Sequence, residues 1–426
     1  MTILILFATL FLFILLSVPV GISIGLSTII TIYFASDIDL STIIQKIFSS
    51  LDSFAIMAIP FFMFAGLIMG RGGISRRLVD FANSLVGWMV GGLAMVTTVT
   101  SMFFAAISGS GPATVAAIGS FMIPEMEKKR YGIGLATGLT AAAGTIGVII
   151  PPSIPFILYG VVGEVSIGDL FIAGILPGIF IGITLMVTSF ILIKRKGITK
   201  KEDLEVISFK KMLKTGWDAK WSLLTPVIIL GGIYGGVFTP TEASVVAVVY
   251  GLLIGGFVYK ELKWKEIYEC TLETLRLMGA TLYMIGLSVA FSFLLTVERI
   301  PSTIADGIIG FSDNPIIIML LINVFLLVVG AFVDAVASIV ILTPILLPIV
   351  MQIGVDPVHF GIILVANLAI GYITPPVGVN LFVSAAVGKT NIETVVRGIL
   401  PFFIALLISL IFITYMPSLS LLLIGK

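Results

Sequence analysis

Charged side chains are scarce in this chain, and Asp, Glu, Lys and Arg together make up 11% of its 426 residues. A soluble globular protein carries roughly 25% charged residues, because its folded surface must be wetted by water. Hydrophobic residues make up 58% of the chain, and the mean hydropathy is +1.20. Successive apolar runs are long enough for helices of about 20 residues, which predicts an all-α polytopic membrane protein rather than a barrel of alternating strands.

Cysteine and histidine are almost absent, and each occurs once. The single Cys270 allows no internal disulfide and no cysteine metal cluster, and the lone His359 excludes a site built from several histidines. With 24 basic and 23 acidic residues the net charge is +1, which argues against a nucleic-acid partner. No basic residue precedes Lys46, so the first apolar run lacks the positive start of a signal peptide and is expected to be a retained helix.

Most basic residues are concentrated in four islands between the apolar runs. These islands hold 18 of the 24 Lys and Arg residues, and they are Arg71–Arg77, Lys128–Arg130, Lys194–Lys220 and Lys260–Lys265. The positive-inside rule places such loops in the cytoplasm. The longest island lies near the middle of the chain, so residues 1–193 and 221–426 are predicted to be two halves joined by a cytoplasmic linker, 194–220.

The two halves resemble each other at an offset of 224 positions. Residues that break helices then fall on one another, namely Pro124 on Pro348, Ile146-Gly147 on Ile370-Gly371, Pro151-Pro152 on Pro375-Pro376, and Gly174–Pro177 on Gly398–Pro401. Each half is predicted to contain five crossings and one re-entrant hairpin. Because five is odd, the second half must enter the membrane upside down, which is the inverted-repeat architecture of secondary transporters. The rival interpretation takes residues 3–35 as one long kinked helix and breaks this symmetry.

Each half is predicted to contain a re-entrant hairpin followed by a broken helix. The first hairpin covers about 88–124, because both of its flanks are basic and the chain must return to the side it came from. The second covers about 315–353. The broken helices cover about 132–162 and 360–387, and a Pro-Pro pair interrupts each. Stretches of mixed polarity predict interfacial helices lying flat, at Asp39–Asp52, Ser75–Ser84, Lys263–Glu273 and Pro301–Ser312.

The two hairpin tips and the two breaks form the candidate binding site. Unwound backbone inside a membrane must be buried in protein or line a wet cavity, and broken helices present oxygens and helix ends that suit Na⁺ and carboxylates. The predicted cation-binding residues are Ser108, Gly109, Ser110, Pro151 and Ser153 in the first half, and Asp334, Ala337, Ser338, Thr374, Pro376 and Gly378 in the second. We expect a carboxylate substrate to contact Gly111, Pro152 and Asn380. Matching halves predict two or more Na⁺ ions and no organic cofactor.

Purely structural roles compete with these assignments. A single Pro-Pro break can be a simple kink. Asp334 has no Lys or Arg between Arg299 and Lys389 with which to pair, which favours a functional carboxylate at membrane depth, although it could also cap a helix at the tip. Glu242 is interpreted as part of a capping box, and His359 as an ordinary interface residue.

Several motifs together resemble one transporter family. They are Pro60–Gly66, Ser108–Thr114, Ile150–Ser153, Phe238–Ala243 and Thr374–Phe382. Over essentially the whole chain the sequence resembles the large membrane subunit of tripartite ATP-independent periplasmic (TRAP) transporters.

The resemblance implies Na⁺-coupled import of organic acids across a bacterial inner membrane, and no enzyme activity. It also implies a small four-helix membrane subunit, expected as a separate polypeptide, and a soluble periplasmic substrate-binding protein. The family is similar to elevator-type symporters, in which a mobile domain slides against a scaffold. Here the mobile part is expected to be roughly Trp88–Val162 and Pro315–Val387.

Other functional classes remain open from the sequence. A stand-alone Na⁺/carboxylate symporter would need no binding protein. A channel would conduct without saturation or Na⁺ coupling. An intramembrane enzyme would need a nucleophile and base pair, and the sequence offers none.

Overall fold

A computed structural model describes residues 2–16, 18–36, 38–198, 208–300 and 314–426 of the chain. Within these ranges every regular element is a helix and none is a strand. A helix satisfies all its backbone hydrogen bonds within one segment, which is what an apolar run in a membrane requires. The predicted all-α class is confirmed.

The first half contains helices α1 to α10. They are α1 (Thr2–Leu15), α2 (Val20–Ala35), α3 (Leu40–Leu51), α4 (Ala58–Arg71), α5 (Ile74–Val86), α6 (Gly92–Ser108), α7 (Gly111–Lys128), α8 (Ile133–Ala143), α9 (Ile154–Val162) and α10 (Ile167–Lys196). A 3₁₀ turn, Gly144–Val148, continues α8 toward the first Pro-Pro pair.

Helices α11 to α20 follow, and α11 lies within the predicted linker. They are α11 (Phe209–Asp218), α12 (Lys220–Tyr234), α13 (Pro240–Leu253), α14 (Trp264–Val297), α15 (Pro315–Phe332), α16 (Ala335–Gln352), α17 (Pro357–Gly371), α18 (Val379–Val387), α19 (Ile392–Tyr415) and α20 (Ser418–Leu421). A π turn, Ile254–Val258, continues α13.

Six helical stretches of the described chain are long and apolar enough to cross a membrane. They are α10, α13 with its π turn, α14, α15, α16 and α19, with mean hydropathies from 1.8 to 2.8. Helices α4 and α5 pass the same test together as a seventh, although the pair bends by 69°. Shorter apolar helices, including α1, α2, α12 and α17, lie between them. The chain is therefore a multi-pass membrane protein.

The first two helices are separate and pack side by side. Pro19 precedes α2, and the Thr2 hydroxyl donates to the Ala35 carbonyl oxygen at 3.1 Å, which joins the far ends of the pair. One long kinked helix over 3–35 is therefore not what the structure contains. At the corresponding place in the second half, the Thr239 hydroxyl and the Glu242 carboxylate form the capping box that opens α13, so the structural interpretation of Glu242 is confirmed.

The interfacial helices differ in part from the sequence-based expectation. Short helices α3 and α5 occur where Asp39–Asp52 and Ser75–Ser84 were expected. Lys263–Glu273 is not a separate helix, because α14 continues without a break from Trp264 to Val297. No proline interrupts that stretch, so the amphipathic start and the apolar span form a single helix. The expected helix at Pro301–Ser312 lies outside the described residues.

The two broken helices lie at the centre of the fold. In α17 every residue from Val358 to Gly371 is buried, and in α8 every residue from Leu135 to Ala143 is buried. Helix α8 packs tightly against α19, because a Cβ at Gly138 would lie 2.5 Å from the carbonyl carbon of Gly398. Glycines at a helix interface allow such close backbone approach.

Candidate functional site

The tip of the first hairpin contacts the first break directly. Helix α6 ends at Ser108 and α7 begins at Gly111. The Ile154 amide donates to the carbonyl oxygen of Gly109 at 3.4 Å. Gly109 has φ +61°, and a Cβ there would lie 2.7 Å from the Pro152 carbonyl oxygen. Only glycine combines this left-handed backbone with so close an approach.

Three hydroxyl-bearing residues lie together at this first tip, and two of them are buried. The hydroxyl oxygens of Ser108 and Thr114 lie 3.1 Å apart, and the Thr114 hydroxyl donates to the Ser110 carbonyl oxygen at 2.8 Å. The Ser110 hydroxyl caps α7 by accepting from the Ala113 amide at 3.5 Å. Ser108 and Thr114 are 2% and 0% exposed. Thr114 was not among the predicted site residues, although its position one helical turn after Ser110 was a signal that could have found it.

At the first break the side-chain oxygen of Ser153 is already hydrogen-bonded, and a backbone oxygen contacts the hairpin tip. The Ser153 hydroxyl donates to the Val148 carbonyl oxygen at 2.6 Å and accepts from the Phe156 amide at 3.3 Å, so it caps α9. Pro151, Pro152 and Ser153 are all buried, and the Pro151-Pro152 peptide bond is cis. Pro152 contacts the hairpin tip at Gly109 through its carbonyl oxygen.

The 3₁₀ turn that precedes this break lies against the same tip. A Cβ at Gly147 would lie 2.7 Å from the Ser110 carbonyl oxygen and 2.5 Å from the Thr114 hydroxyl. A side chain at position 147 would therefore displace both oxygens. The first tip and the first break thus form one compact, oxygen-rich unit.

The second tip is organised by Asp334. Its Oδ2 accepts from the Val336 amide at 2.9 Å, so the exposed carboxylate caps α16 as the structural interpretation expected. Ala337 and Ser338 are each 1% exposed, and the Ser338 hydroxyl has no hydrogen-bond partner among the described residues. An unpaired buried hydroxyl costs about 1–3 kcal/mol, so Ser338 is suited to accepting a ligand.

The second break contacts the second hairpin through the last turn of α15 rather than through Asp334 or Ser338. The Val377 amide donates to the Ala331 carbonyl oxygen at 3.2 Å. The Thr374 hydroxyl donates to the Ile370 carbonyl oxygen at 2.8 Å and so remains bound to its own helix. Pro376 is exposed, and the Pro375-Pro376 peptide bond is cis like that of the first break. Gly378 has a left-handed backbone with φ +41°. This second group of predicted residues is less closely assembled than the first.

Asn380 connects the two halves. Its side-chain amide donates to the Ala141 carbonyl oxygen at 3.2 Å, while its main-chain amide donates to the Tyr372 carbonyl oxygen at 2.9 Å. Asn380 is 0% exposed, and its Oδ1 has no hydrogen-bond partner among the described residues. A Cβ at Gly111 would lie 3.3 Å from that Oδ1 and 3.1 Å from the Gly144 carbonyl oxygen.

The structure therefore brings together Gly111 and Asn380, two of the three residues predicted to contact a substrate. The third, Pro152, lies instead against the hairpin tip at Gly109. Gly144 and Tyr372 complete the surroundings of Asn380 and were not predicted, because neither belongs to a recognisable motif. Their proximity follows from the packing of α7, α8 and α18.

A second buried polar cluster contains His359, which the sequence analysis placed at an ordinary interface position. His359 is 3% exposed, and its Nε2 lies 3.2 Å from the Thr414 carbonyl oxygen. Nearby, the Asn367 amide donates to Asn323 Oδ1 at 2.7 Å, and the Asn323 amide donates to the Thr414 hydroxyl at 3.0 Å. These bonds join α15, α17 and α19. The expectation for His359 was wrong in its placement, since the ring packs inside the bundle.

The oxygen atoms at the first tip are ligands of the kind that a hard cation prefers. Within the described ranges no three His, Cys, Asp or Glu side chains come together as a metal site. The first tip offers hydroxyl and carbonyl oxygens, which are the ligands that hard cations prefer. A Cβ added at Gly109 or Gly147 would collide with these oxygen atoms. Glycine at both positions therefore keeps the oxygen atoms in place.

Comparisons with known proteins identify the family. Residues 7–419 match the family described as "Tripartite ATP-independent periplasmic transporter, DctM component". An isethionate TRAP transporter permease protein from Oleidesulfovibrio alaskensis is 48% identical over 97% of this chain, which spans 65% of that relative's length. A C4-dicarboxylate TRAP transporter large permease protein from Pseudomonas aeruginosa is 43% identical over 94% of this chain and 93% of its own. A sialic acid TRAP transporter large permease protein from Vibrio cholerae is 38% identical, with 95% and 94% covered.

Two solved structures share the fold at low sequence identity. The YdaH transporter of Alcanivorax borkumensis is 15% identical with a TM-score of 0.58, covering 88% of this chain and 89% of its own. MtrF of Neisseria gonorrhoeae is 14% identical with a TM-score of 0.54, covering 88% and 83%. The sequence relatives are permease components and not enzymes, and such permeases lie in the bacterial inner membrane. The chain belongs to the TRAP transporter DctM family, the large membrane permease component of these systems.

Proposed function

We propose that this chain imports an organic acid together with Na⁺, and that it receives the acid from a periplasmic binding protein. The observation that carries the proposal is Asn380, which lies at the meeting point of the first hairpin tip and both broken helices. Its amide is fully buried, and its Oδ1 has no hydrogen-bond partner in the described part of the chain. A buried polar group without a partner is unfavourable, so a site that keeps one is suited to binding a polar ligand. The relatives are named for isethionate, C4-dicarboxylates and sialic acid, all of which are organic acids.

The first hairpin tip is the proposed site of one Na⁺ ion. Ser108, Ser110 and Thr114 would hold it through hydroxyl and carbonyl oxygens, with Ser153 and Pro152 behind them. A second ion is proposed in the other half, held by residues around Asp334, Ser338 and Thr374. Bound cations would supply the positive charge that attracts an acidic substrate to the adjacent Gly111 and Asn380.

An elevator movement is proposed for the body that carries these sites. It would contain the hairpins and broken helices, and we extend it to α10 and α19. The glycine contact between Gly138 and Gly398 leaves no room for α19 to slide along α8. In the same way, a Cβ at Gly174 on α10 would lie 2.6 Å from the Ile149 carbonyl oxygen beside the first break. We expect helices in such close backbone contact to move as one unit.

The proposed partners are a small four-helix membrane subunit and the periplasmic binding protein. A stand-alone symporter is the competing function. Uptake into proteoliposomes that contain this chain and the small subunit distinguishes the two functions. The assay applies an inward Na⁺ gradient and measures uptake of labelled isethionate, succinate or sialic acid. We expect saturable uptake of one acid, and only when the cognate binding protein and Na⁺ are both present. Uptake of equal rate without the binding protein would establish the stand-alone symporter, and non-saturating flux without Na⁺ would indicate a channel.

A further inference from the structure

A polar cleft of about 520 Å³ opens between α5, α11, α12 and the end of α13. Its size falls within the roughly 300–1,000 Å³ of small-molecule sites. Three aromatic residues, Trp217, Trp221 and Tyr259, line it together with charged residues of both signs. The transport site makes no use of any of these residues.

One charged pair in the cleft is already satisfied. The Arg77 Nη1 lies 2.8 Å from the Glu261 Oε1, and the guanidinium lies 3.6 Å from the centre of the Tyr259 ring. The same nitrogen donates to the Gly73 carbonyl oxygen at 2.7 Å. Arg77 and Glu261 therefore neutralise each other, and we do not expect either side chain to bind a ligand.

Four other charged side chains of the cleft have no ionic partner among the residues that the structure describes. Arg76 and Asp80 lie one turn apart on α5, and neither forms an ion pair or side-chain hydrogen bond with any residue that the structure describes. The same holds for the carboxylate of Asp218. The Lys220 ammonium lies 3.6 Å from the centre of the Trp217 ring, but it has no carboxylate partner within the described ranges. The cleft thus presents two cations and two anions to a ligand.

The exposed apolar side chains of α11 indicate that the cleft lies at the membrane interface. On the adjacent α11, the side chains of Phe209, Leu213 and Trp217 are 70%, 61% and 70% exposed at a spacing of four residues. An amphipathic helix with an exposed apolar stripe rests on the lipid headgroups. Tryptophan at the start of a membrane helix, as at Trp221 in α12, is enriched at the same level.

We propose that this cleft binds the headgroup of phosphatidylethanolamine. Arg76 and Lys220 would contact the phosphate, and Asp80 and Asp218 would accept hydrogen bonds from the ammonium group. A purely anionic headgroup would place negative charge beside two carboxylates. Phosphatidylcholine carries a positive charge without N–H donors and would leave those carboxylates without hydrogen bonds. Charge complementarity therefore selects an aminophospholipid.

Native mass spectrometry of the purified full chain, exposed to equal amounts of three lipids with identical acyl chains, tests the proposal. The lipids are phosphatidylethanolamine, phosphatidylglycerol and phosphatidylcholine. We expect the wild-type chain to retain phosphatidylethanolamine preferentially. Arg76→Gln with Lys220→Gln should lower its retention by about tenfold or more, because both charge-assisted hydrogen bonds to the phosphate are lost. Asp80→Asn with Asp218→Asn should instead remove the preference for phosphatidylethanolamine over phosphatidylglycerol.

Arg195→Gln with Lys196→Gln is the matched control, since these two exposed basic residues end α10 and do not line the cleft. The control pair should retain the wild-type preference. Equal lipid retention by the cleft variants and the control would overturn the proposal. So would a wild-type preference for phosphatidylglycerol, which would mean an anionic-lipid site. Loss of bound lipid on adding the small subunit would show that the cleft is a subunit interface instead.

Discussion

The side-chain amide of Asn380 donates to the Ala141 carbonyl oxygen at 3.2 Å, although 239 positions separate the two residues. This hydrogen bond joins the broken helix of the second half to that of the first. It also orients the unpaired Oδ1 of Asn380 toward Gly111 at the first hairpin tip.

Replacement of Asn380 by Asp should weaken substrate binding while preserving side-chain volume. The aspartate loses the N–H donor and places a carboxylate against the Ala141 carbonyl oxygen and an acidic substrate. We expect uptake to fall by about tenfold or more, since an unpaired buried group costs about 1–3 kcal/mol. Ser384→Ala is the matched control, because it removes another hydrogen bond between the same two helices, from Ser384 Oγ to the Thr137 carbonyl oxygen at 2.8 Å. Equal losses in both variants would reduce Asn380 to a structural link.

The hydroxyl cluster at the first tip should set the Na⁺ requirement. In Ser108→Ala with Ser110→Ala, two oxygens are lost from the proposed cation site, and half-maximal uptake should need about tenfold more Na⁺. Ser120→Ala on the same hairpin is the control, since its exposed hydroxyl bonds only to the Ala117 carbonyl oxygen. If both halves hold an ion, the wild-type protein should show a Hill coefficient for Na⁺ above one. Hyperbolic Na⁺ dependence in the wild type would contradict the two-ion proposal.

Asp334→Asn separates the charge of Asp334 from its capping role. Asparagine caps helices about as well as aspartate, so α16 should keep its N-terminus and the protein its thermal stability. Removing the negative charge should weaken cation binding at the second tip, and uptake should fall by about tenfold or more at low Na⁺. Uptake at several Na⁺ concentrations reports on the charge of Asp334, and the unfolding temperature in detergent reports on its capping role. An unchanged Na⁺ dependence would leave Asp334 as a cap alone.

Cysteine labelling can test the inverted repeat at two corresponding loops. Glu164 and Lys389 each follow the short helix after a break, both are exposed, and both have left-handed backbones with φ +54° and +48°. Inverted topology places Glu164 outside and Lys389 inside. In a Cys270→Ser background, an impermeant thiol reagent should label Glu164→Cys in intact cells, and Lys389→Cys only after membrane disruption. Labelling of both sites from outside would rule out inversion.

The glycine contact between α8 and α19 should be intolerant of a methyl group. A Cβ at Gly398 would overlap the carbonyl oxygen of Gly134, so Gly398→Ala must push the two helices apart. We expect a loss of about 1–3 kcal/mol in stability, measured as a lower unfolding temperature in detergent. Gly231→Ala is the control, because a Cβ at Gly231 on α12 meets no atom within 4 Å. A change of equal size in both variants would show that helix propensity, not packing, is responsible.

The sequence alone determined the class of the protein and the positions of the helix breaks. Scarce charge and long apolar runs require membrane helices, because buried backbone must pair within its own segment. Proline pairs and the Ser-Gly-Ser-Gly-Pro motif end helices for local steric reasons, so the first tip and both breaks were readable directly. The capping box at Glu242 was readable for the same reason, since capping involves residues only three positions apart.

Tertiary structure alone decided which of these local features meet. The Asn380 contact with Ala141, the cluster of His359 with Thr414 and the Gly138 approach to Gly398 all join residues from different helices. Apolar helices that are buried on several sides carry no periodic pattern to reveal which face meets which neighbour. The partners are selected by packing volume and by the need to satisfy each buried polar atom, and both depend on the whole bundle rather than on any one segment.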